Sequence, residues 1–169
     1  MCSQNLEMTK PDWSVSKTAD EIAELERLFD LSLEMLCIAD TNGYFRRLNA
    51  AFHQTLGHDL EELLARPFVE FVHPEDRQRT LDEVGKLAEG IPTVHFENRY
   101  RCKDGSYRWL AWTAMPEEEK GLVYATARDI TDTKRSGELL RASEERFRTL
   151  SELSPAGIYL TTPGGDCIY

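Results

Sequence analysis

Hydrophobic side chains recur at helical spacing near the start of the chain. Ile22, Leu25 and Phe29 follow one another at intervals of three and four residues, which places them on one face of a helix. Thr18 and Glu21 come before this stripe at the spacing of a capping box, in which two side chains bind the first free amides of a helix. The pattern therefore predicts an amphipathic helix over residues 18–34.

Short apolar runs flanked by turn residues come next and are typical of strands. Residues 35–40 (MLCIAD) and 44–48 (YFRRL) flank Thr41-Asn42-Gly43, in which glycine supplies the positive φ of a tight hairpin turn. Three longer segments follow further along the chain: FENRYRC, SYRWLAWTAMP and GLVYATARDITD. They are separated by a Lys103-Asp104-Gly105 turn and by an acidic loop, so they predict a meander of three strands.

Helical patterns fill the interval between the hairpin and the meander. Asn49 and Asp59 stand where N-caps would begin the short helices AAFHQTLG and LEELLA. A longer helix is predicted to begin at Pro74 and to end at about Glu89, since proline is favoured at the first helical position. Its predicted inner stripe is Leu81, Val84 and Leu87/Ala88.

The two ends of the chain lie outside this core of residues 35–132. Residues 1–17 are polar and predict a flexible arm. Residues 133–152 are highly charged, with apolar Leu140, Phe147 and Leu150 at heptad-like positions, and predict a linker helix. Residues 157–169 (GIYLTTPGGDCIY) repeat the pattern of residues 35–45 (MLCIADTNGYF). We therefore expect 153–169 to be the start of a second, truncated copy of the domain.

Charge and cysteine content narrow the possible partners. The net charge of −10 and the pI of about 4.9 argue against nucleic acid as a partner, because phosphate binding needs a basic surface. The four cysteines form no CxxC pair, which fits a reduced, cytoplasmic protein. No apolar run is long enough to span a bilayer. The local excess of Arg99, Arg101, Lys103 and Arg108 favours a solvated sheet edge, with an anion site as the alternative.

Four segments, in this order and spacing, resemble the PAS family of sensory domains. They are LEMLCIADTNGYFRRLNAAFHQTLGH, ELLARPFVEFVHPEDR, FENRYRCKDGSYRWLAWTAMP and ATARDITD. The resemblance implies an α+β fold with a five-stranded antiparallel sheet in the order 2-1-5-4-3. Short helices would cover one face of that sheet, and further helices would flank the domain at both ends. It also implies a sensory function, in which a signal is passed along a helix.

The resemblance and the alternation along the strands together select an inner sheet face. It comprises Cys37, Ala39, Phe96, Asn98, Tyr100, Leu110, Trp112, Ala114, Val123, Ala125 and Ala127. The small residues could leave room for a ligand, or they could accommodate a packed core around Trp112 and Tyr100. In the second case the domain would be a ligand-free interaction module.

Two cofactors found in the family have little support in this sequence. The flavin-binding light sensors carry a reactive cysteine on a short helix and a glutamine on the last strand, where this chain has Glu61-Arg66 and Ala127. The haem-binding members use a histidine on the long helix, and this helix has none; His73 precedes it. Non-covalent FAD remains open. The four histidines show no metal-binding spacing, so no metal is expected.

The closing Asp129-Ile130-Thr131 resembles the junction that links the last strand of the family to its output helix. An aspartate there can cap the following helix and can pair with a cation on the sheet. The alternative is that Asp129 is only a helix cap. The two amphipathic helices are candidates for contacts in a homodimer, through Ile22, Leu25 and Phe29 or through Leu140, Phe147 and Leu150. The alternative is that both helices cover the sheet of their own domain.

No catalytic constellation is apparent in the chain. His58-Asp59-Leu60 superficially matches a kinase phospho-acceptor box, but Gly57 precedes it and Pro67 comes too late. No phosphate-binding loop is present. The resemblance makes a histidine kinase the expected full-length context, with a cyclic-di-GMP synthase or phosphodiesterase as the alternative. Downstream PAS and output domains are therefore the expected partners within the same chain.

Overall fold

The computed structural model describes residues 18–153, with side chains as far as Thr149. The predicted N-terminal arm and, apart from its first residue, the predicted second domain lie outside these described residues. Five helices and five strands follow in the order α1 (Ala19–Leu31), β1 (Met35–Asp40), β2 (Phe45–Leu48), α2 (Ala50–Leu56), α3 (Leu60–Ala65), α4 (Arg77–Ala88), β3 (Thr93–Arg101), β4 (Tyr107–Glu117), β5 (Leu122–Asp129) and α5 (Thr131–Leu153).

The strands form one antiparallel sheet in the order β2-β1-β5-β4-β3, as the resemblance implies. Gly43 makes the predicted tight turn between β1 and β2 with a φ of 93°. The central pairing joins the first and last strands, so that Cys37 lies opposite Ala125 and Met35 opposite Ala127. The ends of the domain therefore meet in the middle of the sheet, where α1 enters and α5 leaves.

The core lies between one face of the sheet and the helices α2, α3 and α4. Phe52, Leu63 and Leu110 are fully buried there, and rings from the hairpin and from α2 pack edge to face, such as Phe45 on Phe52 at 5.5 Å between centroids. Edge-to-face packing suits the charge distribution of aromatic rings. The predicted α+β architecture is confirmed.

Three helices differ in detail from the sequence-based expectation. Asn49 and Asp59 occupy the N-cap positions of α2 and α3, but neither side chain makes a capping hydrogen bond. The expected inner stripe of α4 is right at Leu87, which is buried, and at Val84, which packs against the core. It is wrong at Leu81, which is 47% exposed, and at Ala88, which is exposed as well. Thr80 and Leu87 are the buried residues of this helix. The chain enters α4 through a 3-10 turn (Pro74–Asp76). Thr80 can be buried on this helix because its hydroxyl is paired with the Asp76 carbonyl and with Asn98 Nδ2.

Among the helices of residues 18–153, none combines the length and the apolar character needed to cross a bilayer.

Candidate functional site

A cavity of about 70 Å³ lies between the inner face of the sheet and α4. Its wall includes all the predicted inner-face residues except Leu110 and Ala127, namely Cys37, Ala39, Phe96, Asn98, Tyr100, Trp112, Ala114, Val123 and Ala125. Leu110 and Ala127 are buried in the packed core instead. The period-two alternation of the strands thus places most of the predicted set around one space.

Val84 and Leu87, both members of the predicted inner stripe of α4, also line the wall. The rest of the wall comes from residues that the sequence did not single out, namely Thr80, Glu83, Phe45, Phe68 and Thr93. Spacing of three and four residues along α4 could have pointed to Thr80, because it shares one helical face with Val84 and Leu87. The predicted inner stripe has Leu81 on that face instead.

A chain of hydrogen bonds runs from the cavity wall towards the surface. The Trp112 indole N–H donates to Asn98 Oδ1 at 2.8 Å, and Asn98 Nδ2 donates to Thr80 Oγ1 at 3.1 Å. The Thr80 hydroxyl in turn donates to the backbone carbonyl of Asp76 at 2.8 Å. Buried polar groups of this kind are stabilising only when they are paired, so these three side chains hold one another in place.

Asp76 and Arg99 form the outer end of this chain. Asp76 Oδ2 accepts from the backbone N–H and the Nε of Arg99 at 2.9 and 2.8 Å, and Oδ1 accepts from Nη2 at 2.9 Å. The hydrogen bonds from the Arg99 side chain lower the pKa of the Asp76 carboxyl, although burial opposes the shift. The carboxylate is only 6% exposed, so it is a buried charge held by its partner Arg99.

Tyr100 and Cys37 are the remaining titratable groups deep in the cavity wall. Burial raises the pKa of the Cys37 thiol to about 12, with a hydrogen bond from Ala125 opposing the shift. Burial also raises the pKa of the Tyr100 hydroxyl strongly, and the neighbouring Cys37 adds to that shift. Both groups are therefore protonated at neutral pH.

The size of the cavity determines whether FAD or haem can fit inside it. Pockets for drug-sized ligands occupy about 300–1,000 Å³. A space of about 70 Å³ cannot hold the ring system of FAD or haem unless the wall moves. The residues present thus do not fit either cofactor in this conformation.

The junction at the end of β5 is held by Asp129. Its Oδ1 accepts from the backbone N–H of Thr131 at 2.9 Å and from the Thr131 hydroxyl at 2.5 Å, while Oδ2 accepts from Arg108 Nη1 at 2.6 Å. Burial raises the pKa of the Asp129 carboxyl, but the hydrogen bonds from Thr131 and Arg108 outweigh it and leave the pKa lowered. Asp129 thus contacts both the first residue of α5 and a cation on the sheet.

Trp109 connects this junction to the polar chain from the cavity. Its backbone N–H donates to Thr131 Oγ1 and its carbonyl accepts from the Ile130 N–H, both at 2.9 Å. Two cationic side chains lie over its ring, with Arg99 Cζ at 5.3 Å and Lys134 Nζ at 5.1 Å from the ring centroid. Cations over an indole ring are attracted to its π face. Arg99 therefore contacts both Asp76 and the residue that pairs with the start of α5.

The basic cluster predicted from the sequence is largely paired with carboxylates. Lys103 binds Asp59 at 2.6 Å, and Arg99 and Arg108 have the partners described above. These pairs favour the solvated edge over the anion site. Within the part of the chain that the structure describes, no group of three or more His, Cys, Asp or Glu side chains is arranged to hold a metal ion.

The two helices proposed for dimer contacts carry most of their apolar residues exposed. No residue of α1 is buried; Ile22 and Leu25 are 48% and 47% exposed, and Phe29 packs under Arg47, whose guanidinium lies 4.6 Å from the ring centroid. On α5, Leu140 and Phe147 are 62% and 41% exposed, and the Leu150 side chain lies outside the described part. Phe29 thus contacts strand β2 of its own sheet, while Ile22, Leu25, Leu140 and Phe147 are exposed.

Comparison with known proteins supports the fold and its function. Residues 45–126 match the family model described as the PAS fold. The probable diguanylate cyclase DgcE of Escherichia coli (strain K12) is 29% identical over 161 residues, which are 90% of this chain and 15% of that protein. The chain thus spans less than a fifth of the length of this curated relative.

Two crystal structures extend the comparison. The PAS domain of an HTR-like protein from Haloarcula marismortui superposes with a TM-score of 0.58 at 26% identity, over 66% of this chain and 93% of that chain. A sensory box histidine kinase/response regulator from Burkholderia thailandensis E264 superposes with a TM-score of 0.56 at 25% identity, over 75% and 99%. The family match over residues 45–126, these structures and the sheet order together show that this chain carries a PAS domain, the sensory module of a signal-transduction protein.

Proposed function

We propose that this PAS domain senses a small molecule in the cavity and relays its presence to α5. The observation that carries the proposal is the series of contacts from Trp112 and Asn98 through Thr80, Asp76 and Arg99 to Trp109, described above. Trp109 pairs through its backbone with Ile130 and Thr131. One end of this series lines the cavity, and the other end fixes the direction in which α5 leaves the sheet.

A ligand could act through this series by a small shift in a two-state equilibrium. An occupant of the cavity that contacts Trp112 or Asn98 would favour one arrangement of the hydrogen bonds that they share. A ligand shifts such an equilibrium only by its difference in affinity for the two states, which is about 1–3 kcal/mol in typical allosteric proteins. The first turn of α5 is the element that would respond, since Asp129 and Trp109 both hold it.

The sensing part of the proposal is tested by filling the cavity. Ala125 lies on the cavity wall, so that Ala125→Leu places a larger side chain inside it. Ala111 on β4 lies outside the cavity wall, so that Ala111→Leu is a matched control on the same sheet. The wild-type chain and both variants are purified from cells and extracted with solvent, and gas chromatography with mass spectrometry identifies the small molecules released.

The amount of compound recovered per mole of protein is compared among the three samples. A compound that is equally abundant in the wild type and in Ala111→Leu, and depleted in Ala125→Leu, supports a ligand in this cavity. If no compound is depleted from Ala125→Leu relative to the wild type, the result contradicts sensing in the cavity and favours a ligand-free interaction module. In that case the cavity is a packing defect of the core.

We further propose that the output domain is a histidine kinase or a diguanylate cyclase. The Burkholderia and Escherichia coli relatives carry these two names, respectively. The full-length protein, assayed in parallel for autophosphorylation from ATP and for cyclic-di-GMP synthesis from GTP, distinguishes the two. If neither product forms, both output assignments are refuted.

We also propose a homodimer through α1, which the exposed apolar face of that helix favours. Ile22 and Leu25 lie on one side of α1, and a helix that buries none of its own residues gains stability by packing against a second copy. Leu25→Asp should convert the dimer to monomers in light scattering, because the carboxylate would be buried at the contact. Ala23→Asp is the control on the opposite side of the helix. A dimer that survives Leu25→Asp would contradict the use of α1.

A further inference from the structure

The hydroxyl of Tyr100 is a buried donor without a hydrogen-bond partner among the described side chains and backbone groups. Tyr100 is 2% exposed and lines the cavity, and its ring packs on Trp112 at 5.5 Å between centroids. The great majority of buried polar atoms in proteins are hydrogen-bonded, and leaving one unsatisfied costs about 1–3 kcal/mol. A hydroxyl in this position therefore points to an acceptor of its hydrogen bond within the cavity.

The other polar groups of the wall already have protein partners. Asn98 and Thr80 bind each other, and Asn98 also accepts from Trp112. Thr93 Oγ1 donates to Glu83 Oε1 at 2.8 Å, and Glu83 Oε2 lies 2.9 Å from Lys86 Nζ. Tyr100 is thus the polar group of the wall best placed to orient a ligand.

Charge and size restrict what this ligand can be. The wall contains no lysine, arginine or histidine, and its one acidic residue is Glu83, so an anion would enter without a counter-charge and close to a carboxylate. The volume of about 70 Å³ is less than half of the roughly 150 Å³ of an engineered apolar cavity that binds benzene. The space therefore suits a neutral molecule of few heavy atoms.

We propose that the ligand is a small neutral molecule with an apolar body and one oxygen acceptor, such as a ketone, and that the Tyr100 hydroxyl donates to that oxygen. The apolar body would lie against Phe45, Phe96 and Leu87. This inference rests on the proposed function, in which the cavity is the sensing site.

The test compares two probes of the same shape that differ in the acceptor. Acetone carries a carbonyl oxygen where isobutene, dissolved under pressure, carries a methylene group. Both are titrated into the isotope-labelled chain, and the indole N–H signal of Trp112 reports occupancy of the cavity by nuclear magnetic resonance. The measured quantity is the ratio of the acetone affinity to the isobutene affinity in each protein, because this ratio cancels the shared apolar contacts.

Tyr100→Phe removes the donor and keeps the ring, and we expect it to lower the ratio about 10-fold relative to the wild type. Tyr44→Phe is the matched control, because Tyr44 is 37% exposed and lies outside the cavity wall; it should leave the ratio unchanged.

Binding of both probes with the same ratio in wild type and Tyr100→Phe would overturn this inference while leaving a ligand cavity in place. Such a result would mean that an ordered water satisfies the hydroxyl. If neither probe moves the Trp112 signal in the folded wild-type chain, the inference and the sensing role of the cavity both fail.

Discussion

Removal of the Asp129 carboxylate should loosen the attachment of α5 to the sheet. In Asp129→Ala the backbone N–H of Thr131 loses its acceptor, its hydroxyl loses one partner, and Arg108 loses its ion pair. The Thr131 hydroxyl still accepts from the Trp109 N–H, so the junction is weakened but not emptied of contacts. The perturbation is therefore local to the strand end and the first turn of the helix.

The magnitude follows from the burial of each contact. Hydrogen bonds to a charged group contribute about 1.5–3 kcal/mol, and loss of an N-cap side chain alone costs about 0.5–2 kcal/mol. The Arg108 pair adds no more than about 1 kcal/mol, because the Arg108 side chain is 45% exposed and screened by water. These contributions overlap, so we expect the free energy of unfolding to fall by about 2–3 kcal/mol.

Urea unfolding followed by far-ultraviolet circular dichroism measures this change, and hydrogen exchange locates it. A loss of about 2–3 kcal/mol corresponds to roughly 30- to 150-fold faster exchange at the amides of residues 131–135, where opening is local. Asp132→Ala is the matched control, since its side chain is 99% exposed and also lies in the first turn of α5. It removes the same charge without these hydrogen bonds, and we expect a change within about 0.5 kcal/mol.

The sign of the pH dependence provides a second check on the same residue. The folded-state pKa of Asp129 is lowered, so its contribution to stability is present above the unfolded pKa of about 3.9 and is lost as the pH falls through the folded pKa. Asp129→Ala should therefore differ from the wild type at pH 7 and converge with it in strong acid. Equal stability of Asp129→Ala and Asp132→Ala at pH 7 would refute the reasoning.

Two further substitutions test contacts that position the site. Asp76→Asn should lower the free energy of unfolding by about 2–4 kcal/mol at pH 7, because it leaves Arg99 without its charged partner. In urea unfolding, the difference in free energy between this variant and the wild type should shrink as the pH falls below about 4. A difference that stays constant over this range would contradict the lowered pKa of Asp76. The Asn49 side chain accepts from the Leu36 N–H at 3.0 Å and donates to the carbonyls of Phe29, Ser32 and Glu34. Asn49→Ala should therefore lower the free energy of unfolding by about 2–4 kcal/mol and speed amide hydrogen exchange at the end of α1. The exposed turn residue Asn42 is the control for the second change, and equal effects of Asn49→Ala and Asn42→Ala would show that α1 is not held in this way.

The strands and their order followed from local patterns and from the family resemblance. Alternation with a period of two needs only the strand itself, so the inner-face positions from Cys37 to Ala125 could be assigned without knowledge of the helices. The hairpin turn at Gly43 and the capping box at Thr18 are equally local, and the structure shows both.

Features that depend on contacts between distant segments could not be predicted in the same way. Asn49 stands at a helix start, yet its side chain binds backbone groups of β1 and of the end of α1, which only the folded arrangement brings near. Asp76 likewise gives no local sign of its ion pair, because its partner Arg99 is 23 positions away. The volume of the cavity is what remains after the side chains of α4 and of the sheet have packed, and no local pattern encodes it.

The central claim is that the state of the cavity reaches α5 through the Asp129 junction. Titration of the labelled chain with acetone, monitored at the Trp112 indole N–H and at the backbone amides of Thr131 and Lys134, tests it most directly. The account predicts that all three signals shift with the same saturation curve, and that Asp129→Ala reduces the shifts in α5 while the Trp112 shift persists. A Trp112 signal that saturates while the α5 amides of the wild type stay unmoved would contradict the relay.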